Sequence, residues 1–264
     1  MDFIDINGKR LEIRHIPSSG GERRAPLVFL HEGLGSVSLW TQRGIDWPAA
    51  VCAAAGRAGF VYSRRGYGQS DPVPDVRGAG RLPPDYLHRD AFEVLPALLE
   101  AVGIERAVLL GHSDGASIAL LHASRFPVSA CIAMAPHVFV EDIAVAAITA
   151  SRLAFENGPL RERLTRHHAD VDGAFWQWND VWLSEAFRSL NLEDDCSRIT
   201  ASLLLIQGEN DAYGSMQQLD VIADAARRAE RVDQCRLADC GHSPHRDQPA
   251  LTQQAVVDFL QDIR

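Results

Sequence analysis

Short runs of consecutive apolar residues recur along the chain, separated by helical periodicities and by polar loops punctuated with glycine. Leu27 to Leu30, Gly59 to Ser63, Ala107 to Leu110, Val128 to Ala133, Ala201 to Ile206 and Val232 to Leu237 each read as a strand. A strand that is apolar at nearly every position suits a parallel sheet with helices on both faces. The intervening stretches are helical. Trp40 to Ala55 is amphipathic, with Pro48 marking a break or a late start. Tyr86 to Val102 carries Val94, Leu95, Leu98, Leu99 and Val102, and Gly103 closes it. Pro96 within it predicts a lost hydrogen bond and a kink. Leu219, Ile222, Ala223 and Ala226 recur at i, i+3, i+4 and i+7, a helix face. Leu251, Ala255 and Phe259 mark a closing helix. The N-terminal stretch differs: residues 2–16 read as two short strands around Asn7-Gly8, a strong hairpin signal. Pro17 to Pro26 is a polar loop, and residues 72–84, with four prolines, are irregular surface.

From Pro136 to about Arg198 the strand–helix rhythm stops. This stretch is rich in helix formers and bulky aromatics, and predicts a helical cap over residues 136–198, inserted into a core of residues 1–135 and 199–264. Trp176, Trp178 and Trp182, three of the five tryptophans, fall within seven residues. Together with His137 they are candidate substrate contacts; packing of the insertion onto the body is the competing role.

At 264 residues the chain fits one large α/β domain with an insertion. The formal charge is −9, and arginines cluster only as isolated pairs such as Arg64-Arg65. Nucleic acid is therefore an unexpected partner. Five cysteines, an odd number with no C-x-x-C pair, point to reduced thiols and a cytoplasmic compartment. The first residues lack a signal-peptide apolar region, and no apolar run approaches transmembrane length. The expectation is a soluble protein with a small-molecule substrate, no membrane and no nucleic acid; the oligomeric state is not readable.

The chemistry centres on Gly111-His112-Ser113-Asp114-Gly115. A predicted strand enters it and a small-residue helix, Ala116 to Ala123, leaves it. G-x-S-x-G in that context is a nucleophile elbow: a tight turn that exposes one serine and needs glycine on either side. A serine hydroxyl is a poor nucleophile without an adjacent base, and the base needs a third group to orient it. Candidates follow in the order Ser113, Asp211 and His242, each in a loop after a predicted strand. Glu209 and Asp239 are rival acids and His245 a rival base. In a parallel sheet these loops share one edge. Another loop at that edge, His31-Glu32-Gly33-Leu34-Gly35, has the glycines that free backbone N–H groups. The oxyanion donors would be the N–H of Asp114 and that of Gly33 or Leu34. Glu32 is a candidate for contact with substrate or for tuning the histidine, against a solvated loop carboxylate. His31 reads as holding the oxyanion loop, and His112 as packed in the elbow. Arg64 and Arg65 are assigned to loop packing rather than to an anionic group. His167, His168, Asp170 and Asp172 match no zinc spacing and read as a solvated helix end, so no metal is expected.

These motifs, with Arg65-Gly66-Tyr67-Gly68-Gln69-Ser70 and Gly208-Glu209-Asn210-Asp211, resemble the α/β-hydrolase superfamily over nearly the whole chain. The resemblance implies an eight-stranded, mostly parallel sheet with helices on both faces and a helical cap after strand six. It also implies acyl-enzyme hydrolysis with no cofactor: Ser113 as nucleophile, Asp211 as acid and His242 as base. A carboxylic-ester hydrolase for a small to medium, apolar or aromatic substrate is the expected activity. A carbon–carbon hydrolase of aromatic ring-cleavage products and a non-catalytic ligand receptor are the alternatives. Serine at the elbow, not aspartate, argues against haloalkane dehalogenase or epoxide hydrolase chemistry. One departure is His31-Glu32-Gly33 where many members have His-Gly, which leaves the oxyanion donor open between Gly33 and Leu34.

Overall fold

The apolar runs assemble side by side into one eight-stranded sheet. In the computed structural model, which describes residues 2–18 and 24–263, the strands are β1 (Asp2–Ile6), β2 (Lys9–Ile16), β3 (Leu27–Leu30), β4 (Gly59–Tyr62), β5 (Val108–His112), β6 (Ala130–Met134), β7 (Leu203–Gly208) and β8 (Val232–Leu237). Their order is β1-β2-β4-β3-β5-β6-β7-β8. Only the first two strands break the parallel rule: β1 pairs antiparallel with β2, and β2 with β4. The hairpin turns at Asn7 and Gly8, both at positive φ (54° and 72°), as a two-residue turn between twisted strands demands. Residues 19–23 of the expected polar loop lie outside the described residues.

The continuous apolar strands are buried on both faces. In β3, Leu27 and Phe29 pack with Trp40, Trp47 and Val51 on one side. Val28 and Leu30 pack with Leu95, Leu98 and Ile118 on the other. Period two therefore sends alternate side chains into two cores, and polar residues have no wet face to occupy.

The helix expected from Trp40 starts only at Trp47, as α1 (Trp47–Ala55). Asp46 caps it by accepting from Ala49 N–H, and Pro48 sits in the first turn, where its missing N–H costs nothing. The residues before it form a short antiparallel ribbon, Thr41–Gln42 with Ile45–Asp46, turning at Arg43-Gly44. The next helix, α2, runs from Tyr86–Arg89 through a π-turn, Asp90–Val94, into Leu95–Ala101. Pro96 has no N–H to offer one turn back. The helix absorbs the defect by widening just before it: Leu95 N–H reaches to Asp90 O. After β5 comes α3 (Asp114–Arg125).

Between β6 and β7 the chain adds no strand to the sheet among the described residues. It forms α4 (Asp142–Asn157), α5 (Leu160–Thr165) and α6 (Val171–Trp182). Its two ends are tied at the base by a bridge between Phe139 and Asn191 and by Leu192 N–H on Val138 O, 2.8 Å. The longer helices of the C-terminal part are α7 (Gln217–Ala225) and α8 (Pro249–Leu260). In α8 the buried stripe is Thr252, Val256, Phe259 and Leu260, and Leu251 is 56% exposed. The stripe is thus set one residue later than the apolar residues alone indicated, because Thr252 goes inside with its hydroxyl satisfied by Pro244 O and Gln248 O. No helix among the described residues is long and apolar enough to cross a membrane. The five cysteines are unpaired thiols.

Candidate active site

The elbow is built as a collision of backbones. β5 ends at His112, Ser113 turns through φ 55° and ψ −119°, and α3 begins at once. A side chain at Gly111 would strike the carbonyl of Gly115, and one at Gly115 the carbonyl of Leu30 at the end of β3. Ser113 N–H is pinned to Met134 O of β6 at 2.9 Å. A non-glycine residue at positive φ is strained, and these contacts on both sides hold it there.

Loops after β7 and β8 bring the other two groups to the serine. His242 Nε2 lies 2.9 Å from Ser113 Oγ, and its Nδ1 lies 2.9 Å from both oxygens of Asp211. Asp211 also accepts from Tyr213 N–H at 2.8 Å. Burial pushes its carboxyl pKa up, but the bonds from His242 and Tyr213 more than offset this, and it lies below the usual carboxylate range. A carboxylate that accepts on this side fixes the imidazole proton on Nδ1 and leaves Nε2 free to accept. The rivals do not reach the serine. Glu209 and Asp239 are exposed. His245 is buried between Trp40 and Trp47, with ring centroids 4.9 and 5.5 Å away. His112 bonds the carbonyl of His242 through its Nε2, at 2.7 Å. The residue before Ser113 therefore grips the backbone of the His242 loop directly.

The loop after β3 is held by its carbonyls. Glu32 O accepts from His31 Nδ1 (2.6 Å), Arg64 Nη2 (3.1 Å) and Gly35 N–H (3.0 Å). That carbonyl and the N–H of Gly33 belong to one planar peptide, so fixing the oxygen fixes the direction of the N–H. The N–H of Asp114, first in α3, needs no partner within the helix. The Trp178 indole from α6 lies directly against Gly33, where a β-carbon would collide with its Nε1 and Cδ1.

Ser113, His242, Gly33 and Leu34 open onto a cavity of about 220 Å³. Its apolar wall is Leu39, Ile148, Leu164, Trp178 and Trp182. Of the aromatic candidates, Trp178 and Trp182 are in this wall, and so is His137, whose ring packs edge-on to Trp182 at 5.0 Å. Burial drives the His137 pKa down to about 3, so the ring is neutral. Trp176 is not in the wall. It packs on Phe155 and Phe175, with Arg77 and Arg152 over its faces. Glu32 reaches the cavity edge but is not a solvated carboxylate: it pairs with Arg246 and lies 3.4 Å from His112 Nδ1. Burial raises its pKa, and the Arg246 guanidinium together with the His112 ring more than reverses the effect.

Two arrangements go beyond the sequence reading. The Asp114 side chain is buried and accepts from Tyr86 Oη (2.7 Å), Trp182 Nε1 (3.2 Å) and Arg64 Nη2 (3.5 Å), so a charge lies beneath the elbow helix. Arg64 pairs with Asp90 as well, at 3.3 Å. The expected solvated helix end is only partly solvated: Asp172 is about half exposed, but His168 is not at the surface. His168 is buried with both ring nitrogens bonded, His167 bonds Ser38, Asp170 caps α6, and Asp172 pairs with Arg161.

The comparisons agree with this architecture. The chain is 29% identical over 110 residues to the bifunctional esterase/perhydrolase DCH of Acinetobacter calcoaceticus, covering 40% of this chain and 34% of that one. It is 30% identical over 136 residues to epoxide hydrolase A of Mycobacterium tuberculosis, covering 50% and 38%. The matches thus span only about a third of the length of each of these two relatives. The enol-lactonase structure from Burkholderia xenovorans LB400 superposes with a TM-score of 0.75 over 99% of this chain and 100% of that one, at 17% identity, a likeness of fold alone. A model of the alpha/beta hydrolase family matches residues 27–255, and the chain belongs to that family.

Proposed function

We propose that this chain is a serine hydrolase that cleaves a carboxylic ester of a small, largely apolar substrate. The observation that carries the reading is the unbroken line Ser113 Oγ, His242, Asp211, with both links at 2.9 Å. His242 Nε2 takes the hydroxyl proton as Oγ attacks the carbonyl carbon. The resulting oxyanion is received by the N–H groups of Asp114 and Gly33, Gly33 being favoured over Leu34 because its peptide is the one anchored through Glu32 O. Asp211 stabilises the imidazolium, which then protonates the leaving alkoxide; water, activated by the same base, releases the acid. Residues 136–198 act as a cap that contributes Trp178, Trp182, Ile148 and Leu164 to the binding wall. A cavity of about 220 Å³ favours short acyl or alcohol groups, being smaller than the roughly 300–1,000 Å³ of sites for drug-sized ligands. Similarity to an epoxide hydrolase does not carry its chemistry here, since the elbow presents a hydroxyl rather than a carboxylate.

The test is a panel of p-nitrophenyl esters, lactones, amides and a ring-fission dienoate, run on the parent protein and on Ser113→Ala. Turnover of short esters that disappears with the hydroxyl supports the proposal. Preference for the dienoate by orders of magnitude replaces it with carbon–carbon cleavage. Labelling of Ser113 by a fluorophosphonate without turnover of any substrate replaces it with a ligand receptor.

A further inference from the structure

His168 sits in the loop between α5 and α6 and is 3% exposed. Its Nδ1 is 3.0 Å from the N–H of Gly68, and its Nε2 is 3.0 Å from the carbonyl of Leu34. A backbone N–H can only donate and a carbonyl can only accept, so the proton is on Nε2 and the ring is neutral. Burial agrees, bringing its pKa down to about 4.

His31 makes the same kind of bridge from the body of the fold. Its Nδ1 donates to Glu32 O, and its Nε2 accepts from Arg64 N–H at 2.9 Å. Each histidine thus spans from the 64–68 loop to the oxyanion loop. Between them they hold the carbonyls of Glu32 and Leu34, on either side of Gly33. Tyr67 packs edge-on to both rings, at 5.2 and 6.1 Å. Glycine has the widest backbone freedom of any residue, so an N–H aimed from Gly33 needs the chain held on both sides of it. His31 holds the peptide that carries the Gly33 N–H, and His168 holds the Leu34–Gly35 peptide, one residue beyond the peptide that follows Gly33.

We infer that His168 is a positioning residue for the oxyanion loop, through which the helical insertion, by holding the Leu34–Gly35 peptide, keeps Gly33 and its N–H from shifting. The meaning of that N–H rests on the ester-hydrolase reading; the two hydrogen bonds do not. The insertion is then part of the device that stabilises the transition state as well as a wall of the cavity.

The two nitrogens are separable. An asparagine amide overlays Nδ1 of histidine and keeps the acceptor for Gly68. A glutamine amide overlays Nε2 and keeps the donor for Leu34. His168→Asn, His168→Gln and His168→Ala are compared with His167→Ala, which removes the neighbouring bond to Ser38 (2.8 Å) but spares Leu34. The readouts are ester kcat and KM, the rate at which a fluorophosphonate labels Ser113, and the urea midpoint. His168→Ala and His168→Asn should lose at least about tenfold in kcat and in labelling rate, with KM little changed, short of the roughly 10²–10³-fold cost of a missing oxyanion donor. His168→Gln should recover most of that loss, and His167→Ala should stay near the parent in rate. The imidazole ¹⁵N spectrum should show a neutral ring protonated at Nε2. Equal losses in Asn and Gln, rates that merely follow the urea midpoint across all four variants, or an Nδ1-protonated or cationic ring each overturn the inference. If the parent is labelled but hydrolyses no ester, the functional reading fails while the labelling rates still report on His168.

Discussion

The indole of Trp178 occupies the place where a side chain on Gly33 would be. A residue of α6 and a residue of the loop after β3 are therefore fitted to each other. Gly33→Ala should force the indole away or tilt the loop. Either way the proposed donor moves, and kcat/KM should fall roughly 10²-fold, the scale of a lost oxyanion contact. Trp178→Ala in the same chain opens the space again. The double variant should be more active than Gly33→Ala alone, a coupling of the kind a double-mutant cycle measures. A double variant no better than the single would show that the collision is not what harms Gly33→Ala.

Asp211 touches His242 with both oxygens. Asp211→Asn keeps the shape but offers an N–H toward Nδ1, which favours the wrong tautomer. A loss of about 10⁴ in kcat with little change in KM is expected, by analogy with the same substitution in other triads. Steady-state kinetics on the best ester of the panel check this. Retained activity would move the acid's role to another carboxylate.

How much of this was legible follows from what each feature depends on. The elbow and the two loops that meet it are local events: a buried strand ends, glycine allows a sharp turn, and a reactive side chain is left at the rim. Parallel pairing then gathers the C-terminal strand ends along one edge, so residues 113, 211 and 242 come together. Trp178 and Trp182 are four residues apart on α6 and share a face, whereas Trp176 is roughly 200° around the helix from Trp178. That periodicity was present in the sequence and separates the two wall residues from the one that packs behind. Leu251 misled because a threonine, polar by type, took the buried position beside it. The bridge at His168 was not legible. Its partners, Leu34 and Gly68, are 134 and 100 residues away, and backbone N–H and carbonyl groups leave no mark in the choice of side chain.

Arg64, buried beneath the elbow helix, has two carboxylate partners, Asp114 and Asp90. Asp114→Ala leaves the backbone N–H in place. It also strips Tyr86 and Trp182 of their shared acceptor and leaves Arg64 with a single counter-charge. Breaking a buried pair from one side costs about 3–5 kcal/mol, and Asp90 should keep the loss near the lower end. Asp114→Asn retains an acceptor for Tyr86 and Trp182 and should lose less. Urea unfolding at constant m-value gives the comparison. Equal stability of the Ala and Asn variants would show that the shared acceptor contributes little, and an Asn variant as stable as the parent would show the same of the charge.

Acid should weaken the fold earlier than the carboxylates alone would. Burial is the first cause that lowers the pKa of His31, His112, His137, His168 and His245, to about 3 in His137 and about 4 in His168. The same rings in the unfolded chain titrate near 6.5. Between those values the unfolded chain binds more protons than the folded one. The stability due to neutral burial is therefore complete above about pH 6.5 and declines as pH falls toward 4, His137 and His168 each contributing a slope of up to about 1.4 kcal/mol per pH unit. The urea midpoint should drop across that window. His245 offers a direct check, because both its ring nitrogens are buried without a partner between Trp40, Trp47 and His112. His245→Phe removes a titrating site and two unsatisfied atoms together. It should be at least as stable as the parent at neutral pH and should gain on it steadily as the solution is acidified. Parallel stability curves for the two proteins between pH 7 and 4 would mean that this ring does not take part in the acid response.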